Sequence, residues 1–105
     1  MKGSQLTVYA NQSHHVAGRA VCDWLLALIR SHGIQGATVI AASEAIDTHG
    51  RLHAARFFEL ADVPLAITVA AEDAAIDGLL AELDASGAQL FYTRFPVEYG
   101  ELGAA

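Results

Sequence analysis

Within the ten residues DTHGRLHAAR, positions 47–56, stand four side chains able to hold an anion, ligate a metal or carry a proton: His49, Arg51, His53 and Arg56. The whole chain has only six Lys and Arg and five His against twelve Asp and Glu, for a formal net charge of −6. A basic island in so acidic a chain raises three chemistries.

The first is anion binding. Arg51 and Arg56 carry permanently charged guanidinium forks whose geometry suits phosphate or carboxylate. His49 and His53 add a fraction of a charge near neutral pH, and Gly50 between them lets a ligand approach the backbone closely. Arg19, following Gly18 where a helix is expected to begin, would supply a further arm beside free backbone N–H groups. A plainer reading fits the same residues. Arg51 and Arg56 would pair with Asp47, Glu59 or Asp62 as surface ion pairs worth about 0–1 kcal/mol, and Arg19 would lie back over Asp23.

The second is metal binding. His49 and His53 are four apart, a spacing that aligns two imidazoles on one helical turn, and His14 and His15 form a second pair. No acidic residue completes a zinc motif, however, and Gly50 disfavours a helix at that place. A loop with two solvated histidines is the plain reading. A divalent-metal site using His49, His53 and His14 or His15 across subunits is the alternative kept open.

The third is catalysis. No nucleophile, base and orienting group can be read from the spacing, so the expectation is a protein that is not an enzyme. A small-molecule enzyme of a related dimeric α+β type is the weakest alternative. The single cysteine, Cys22, allows no intramolecular disulfide and reads as a packed small residue; a reactive thiol would need a cation such as Arg19 nearby.

The elements that must position these residues follow from periodicity. QLTVYA, residues 5–10, is rich in β-formers and reads as a strand. Val21, Trp24, Leu25, Leu28 and Ile29 recur at helical spacing within Val16–His32, with Ser13 as N-cap and Gly33 as stop. GATVIAASEA, residues 36–45, reads as the second strand and LAITVAA, residues 65–71, as the third, with RFFEL, residues 56–60, as an extension or a short separate strand. Ile76, Leu79, Leu80 and Leu83 form the stripe of a second helix opened by Glu72 and Asp73 and ended by Gly87. AQLFYTRF, residues 88–95, is the last strand, closed by Pro96.

The order β-α-β-β-α-β predicts an α+β domain of ferredoxin-like type, a four-stranded antiparallel sheet with two helices on one face. At 105 residues it is a single domain, 1–105, with the tail 100–105 frayed. Hydrophobic residues make up 53% of the chain, enough for a core. The uncovered sheet face calls for burial in an oligomer, with Val8, Ile67, Val69, Leu90 and Tyr92 as its apolar candidates. The acidic balance argues against nucleic-acid binding. No signal peptide and no membrane-spanning run is read, which predicts a cytoplasmic protein.

LTVYA, GRAVCDWLL and GIQGATVIAASEAIDTHGRLHAARFFELADVPLAITV together resemble the small bacterial PII-like proteins grouped as a domain of unknown function. The resemblance runs from about Gln5 to Tyr99, most specifically in GATV, HGRLHAARFFEL and ADVPLAITV. It implies a homotrimer like those of PII signalling proteins and the CutA group, with small ligands held in clefts between subunits. It further implies a regulatory role with an adenine nucleotide as candidate effector and a protein partner met through the Asp47–Arg56 loop. His49, Gly50, Arg51, His53 and Arg56 occupy the matching positions, and Gly18-Arg19 stands where relatives show Gly-Lys. PII proteins carry a longer loop with a uridylylated tyrosine and a glycine- and lysine-rich phosphate loop; this chain has neither, so uridylylation is not expected.

Overall fold

The computed structural model describes residues 1–46, 50–54 and 62–103, and for 52–54 the backbone alone. The elements are β1 (Lys2–Asn11), β2 (His15–Val16), β3 (Arg19–Ala20), α1 (Val21–Ser31), β4 (Thr38–Ala41), β5 (Glu44–Ile46), β6 (Leu52–Ala54), β7 (Pro64–Ala71), α2 (Asp73–Ala85) and β8 (Phe91–Glu98). Beneath the smaller pieces lies the expected β-α-β-β-α-β frame. Four strands form one antiparallel sheet in the order β4-β7-β1-β8.

Residues paired in register share a face, so side chains sort by parity. Leu6 and Val8 of β1 and Ile67, Val69 and Ala71 of β7 meet Leu25 and Ile29 of α1 and Ile76, Leu79 and Leu83 of α2 in one buried cluster. Each fully buried Leu, Ile or Val side chain among them stabilises the fold by about 1.5–3 kcal/mol. His32, at the end of α1, reaches across to α2, where its Nε2 lies 2.9 Å from Glu82 Oε1.

Several expectations change. The first helix begins at Val21, five residues later than its periodicity suggests, and Ser13 does not cap it. Residues 15–20 instead form a two-residue hairpin, because Ala17 and Gly18 both take positive φ, 53° and 78°. The Ser13 backbone N–H goes to Asp62 Oδ1, 3.2 Å away. The run 36–45 divides into β4 and β5, and β5 turns away from the main sheet to pair with β6.

The last strand starts at Phe91 and runs on through Pro96 to Glu98. Pro96 is tolerated because β8 pairs only with β1 and is an edge. Backbone groups of Tyr99 bond in both directions to Met1, at 2.8 Å each. Along a strand these groups alternate sides, so Pro96, an odd number of residues away, points its nitrogen outward.

The uncovered face is made of other residues than those expected. Val8, Ile67 and Val69 lie under the helices; Leu90 packs against the same core, and Tyr92 is paired with Val8 on that side. The opposite face instead presents Tyr9, Ile40, Phe91 and Phe95, which are 43%, 58%, 54% and 47% exposed. The possible strand at 56–60 lies outside the described residues.

Candidate anion site

β1 and β4 run parallel to one another, both antiparallel to β7, and Asn11 pairs with Pro64 while Ala41 pairs with Leu65. The chain therefore leaves the sheet twice at the same end. The first excursion, after β1, carries His14, His15 and Arg19; the second, after β4, carries Gly50, Arg51 and His53. Backbone bonds bind both to the sheet margin: Gln12 N–H donates to Val63 O at 2.8 Å, and Ala42 N–H donates to Pro64 O at 2.9 Å. Two segments far apart in sequence thus share one end of the domain.

In the first excursion the hairpin delivers the chain into α1 without a side-chain cap; Val21 N–H donates to His14 O at 2.8 Å. Arg19 is exposed and pairs in register with Val16, whereas His15 pairs with Ala20, so Arg19 and His15 occupy opposite faces of this ribbon. The His15 Nδ1–H donates to Ser13 O at 2.9 Å, which in the neutral ring leaves the Nε2 lone pair as its remaining acceptor. His14 is half-buried.

In the second excursion β5 and β6 form a hairpin with Glu44 opposite Ala54, Ala45 opposite His53 and Ile46 opposite Leu52. Gly50 takes φ 80° in the connection, a conformation that suits glycine, and Arg51 beside it is exposed. His49, Arg56 and Asp47, with Glu59, lie outside the described residues. His53 belongs to the strand β6. Among the described residues no three His, Cys, Asp or Glu side chains gather where a metal could be held.

Two features nearby bear on chemistry. The Cys22 thiol is pushed above its ordinary pKa, first by burial and then by the neighbouring Asp23 carboxylate, so Arg19 does not make it a reactive thiolate. Between α2 and β8 opens a groove of about 340 Å³ over Val8, lined by Leu80, Leu83, Asp84, Leu90 and Tyr92. It offers an anion one carboxylate and no cation.

Sequence reasoning passed over Arg94. This half-buried guanidinium donates from Nε to Ser4 Oγ at 3.0 Å and from Nη1 to Asp77 Oδ1 at 2.7 Å, with Nη2 3.6 Å from Asp73 Oδ1. Ser4 in turn donates to Asp73 Oδ1 at 2.6 Å. The acids at 73 and 77, one helical turn apart, are a signal of a shared cationic partner, but nothing local names which cation.

A family model described as DUF190, uncharacterized ACR, COG1993, matches residues 3–99. No curated protein matches the chain. Among solved structures it is similar to CPII, a nitrogen regulatory PII-like protein from Thiomonas intermedia K12, in a form bound to ADP, AMP and bicarbonate. That likeness has a TM-score of 0.73 at 13% identity and covers 96% of this chain and 91% of that one. The apo form of CPII aligns with a TM-score of 0.53 at 16% identity, covering 92% of each chain. A PII-like signalling protein of Thermus thermophilus aligns with a TM-score of 0.69 at 11% identity, over 92% of this chain and 88% of that one. At such identities the likeness establishes the ferredoxin-like fold.

Proposed function

The chain belongs to the DUF190 family, and from that premise we propose that it is a PII-like regulatory module, not an enzyme, that binds a small anionic effector. The effector is an adenine nucleotide, held in a cleft between subunits of a cytoplasmic homotrimer. Arg19, Arg51 and Arg56 meet its phosphates, with His49 and His53 adding donors and Gly50 giving access to the backbone. The bound ligand biases the 47–56 loop toward or away from a protein partner.

The observation that supports this reading is the departure of both excursions from one end of the sheet, the first carrying Arg19 and the second Arg51, in an acidic chain. The ADP and AMP bound by CPII, a protein of the same fold, support the choice of ligand. No helix among the described residues is long and apolar enough to cross a membrane.

The test is calorimetric titration of ADP and AMP into the wild type and into Arg51→Ala/Arg56→Ala. Each charge-assisted hydrogen bond lost should cost about 1.5–3 kcal/mol, so the double variant is expected to lose measurable binding while keeping its fold and its assembly. Undiminished binding by that variant, or none by the wild type, overturns the reading.

A further inference from the structure

Arg94 shows how this domain fills the space between α2 and the edge strand β8. Tyr92 and Arg94 pair with Val8 and Leu6 and so point to the face of the sheet that the helices cover. From there the Arg94 stem crosses to α2. Its guanidinium reaches Asp77 Oδ1 at 2.7 Å and lies 3.6 Å from Asp73 Oδ1. A hydrocarbon stem tipped with a cation closes one end of the space between helix and strand.

The other end stays open. Two turns beyond Asp77 along α2 stands Asp84, at the margin of the groove of about 340 Å³. That volume lies at the lower end of the range of about 300–1,000 Å³ for small-molecule sites. Leu80 and Leu83 of α2 form one wall, Leu90 and Tyr92 the other, and Val8 the floor. Among the described residues Asp84 is the only charged group that lines it.

Asp84 also differs from the other acids within α2. Asp73 and Asp77 meet Arg94, and Glu82 meets His32. No described residue bonds to the Asp84 carboxylate. It stands in the last turn of the helix, where the dipole disfavours negative charge and no basic residue offsets it. An apolar groove with an unpaired carboxylate at its margin is complementary to the kind of group that Arg94 places at the other end.

We propose that this groove binds a small organic cation, an ammonium or guanidinium group on a hydrocarbon body. The body lies along Leu80, Leu83 and Leu90, with the cation at Asp84. Tyr92, half exposed, adds an aromatic ring, a surface that favours organic cations. The formal net charge of −6 draws such a ligand in and repels an anion. The site uses neither Arg19 nor Arg51, so it stands or falls apart from the nucleotide reading.

The experiment titrates n-hexylamine, protonated at pH 7, hexanol and hexanoate into the full-length protein and follows amide resonances by NMR. The three probes share a body and differ in charge. Hexylamine is expected to move the Leu80, Asp84, Leu90 and Tyr92 resonances saturably. Hexanol should bind about fivefold more weakly, the gain of one partly exposed ion pair, and hexanoate not at all. Asp84→Asn should lower hexylamine to the affinity of hexanol. Ala81→Phe, at an exposed position lining the groove, should fill it and abolish binding in a protein that circular dichroism shows to be folded. No saturable movement at these residues in the wild type overturns the proposal, as does hexylamine binding no tighter than hexanol or hexanoate. Unchanged hexylamine binding by Asp84→Asn or by Ala81→Phe places the cation elsewhere and overturns it equally.

Discussion

Arg94 joins three elements through one side chain. Its partners are Ser4 on β1 and Asp73 and Asp77 on α2, and it stands on the edge strand β8. The acids are well exposed, so each ion pair adds at most about 1 kcal/mol. Ser4 is buried, and its hydroxyl accepts from Arg94 while donating to Asp73. Arg94→Met is expected to destabilise the fold by about 1–2 kcal/mol and Ser4→Ala by about 1 kcal/mol. Because both remove the same bridge, the double variant should cost less than their sum. Urea denaturation of the two singles and the double measures this, and strict additivity would show that the residues do not act as one network. The arrangement is illegible in the sequence because Ser4 and Arg94 are 90 positions apart and meet only through strand pairing. The cations at 19 and 51 are legible as chemistry because each stands near a glycine in a polar link. The departure of both links from one end of the sheet is not.

At the level of elements, the long strands and both helices follow from hydrophobic period, and the turn between β1 and α1 does not. Val16 and Ala17 continue an acceptable helical pattern, so periodicity extends α1 backward through them. The backbone does otherwise: Ala17 takes φ 53° and Gly18 φ 78°, the positive values a two-residue hairpin needs. Alanine is poorly suited to that region, where its Cβ crowds the carbonyl at a cost of roughly 1 kcal/mol. Ala17→Gly should therefore stabilise the protein or leave it unchanged, with a rise in Tm of up to about 4–8 °C if the full strain is relieved. Thermal denaturation checks the sign; a fall of several degrees would mean that Ala17 does not hold positive φ in solution. Face assignment fails for a related reason. Strands with apolar residues on both faces do not reveal which parity the helices cover, so the pattern alone offers Val8, Ile67 and Val69 to the open side although they are the core.

For the whole molecule the governing quantity is charge. Copies that each carry −6 repel at long range, and the uncovered sheet face holds no charge to offset this in an assembly. Salt should then strengthen association: at 0.1 M the screening length is about 10 Å, against about 30 Å at 0.01 M. Sedimentation equilibrium at the two salt concentrations is expected to show a lower dissociation constant in the higher salt. Weaker association in higher salt would instead indicate an interface built on ion pairs.

Pro96 also limits how such a protein can grow. Its ring nitrogen faces the free margin of β8 and has no hydrogen to offer, so an incoming strand finds the ladder interrupted. The opposite margin, β4, is only four residues long. Neither border is a good template for indefinite addition of further chains. The homotrimer proposed above, its sheet borders blunted in this way, stays a small closed particle rather than growing into a fibre.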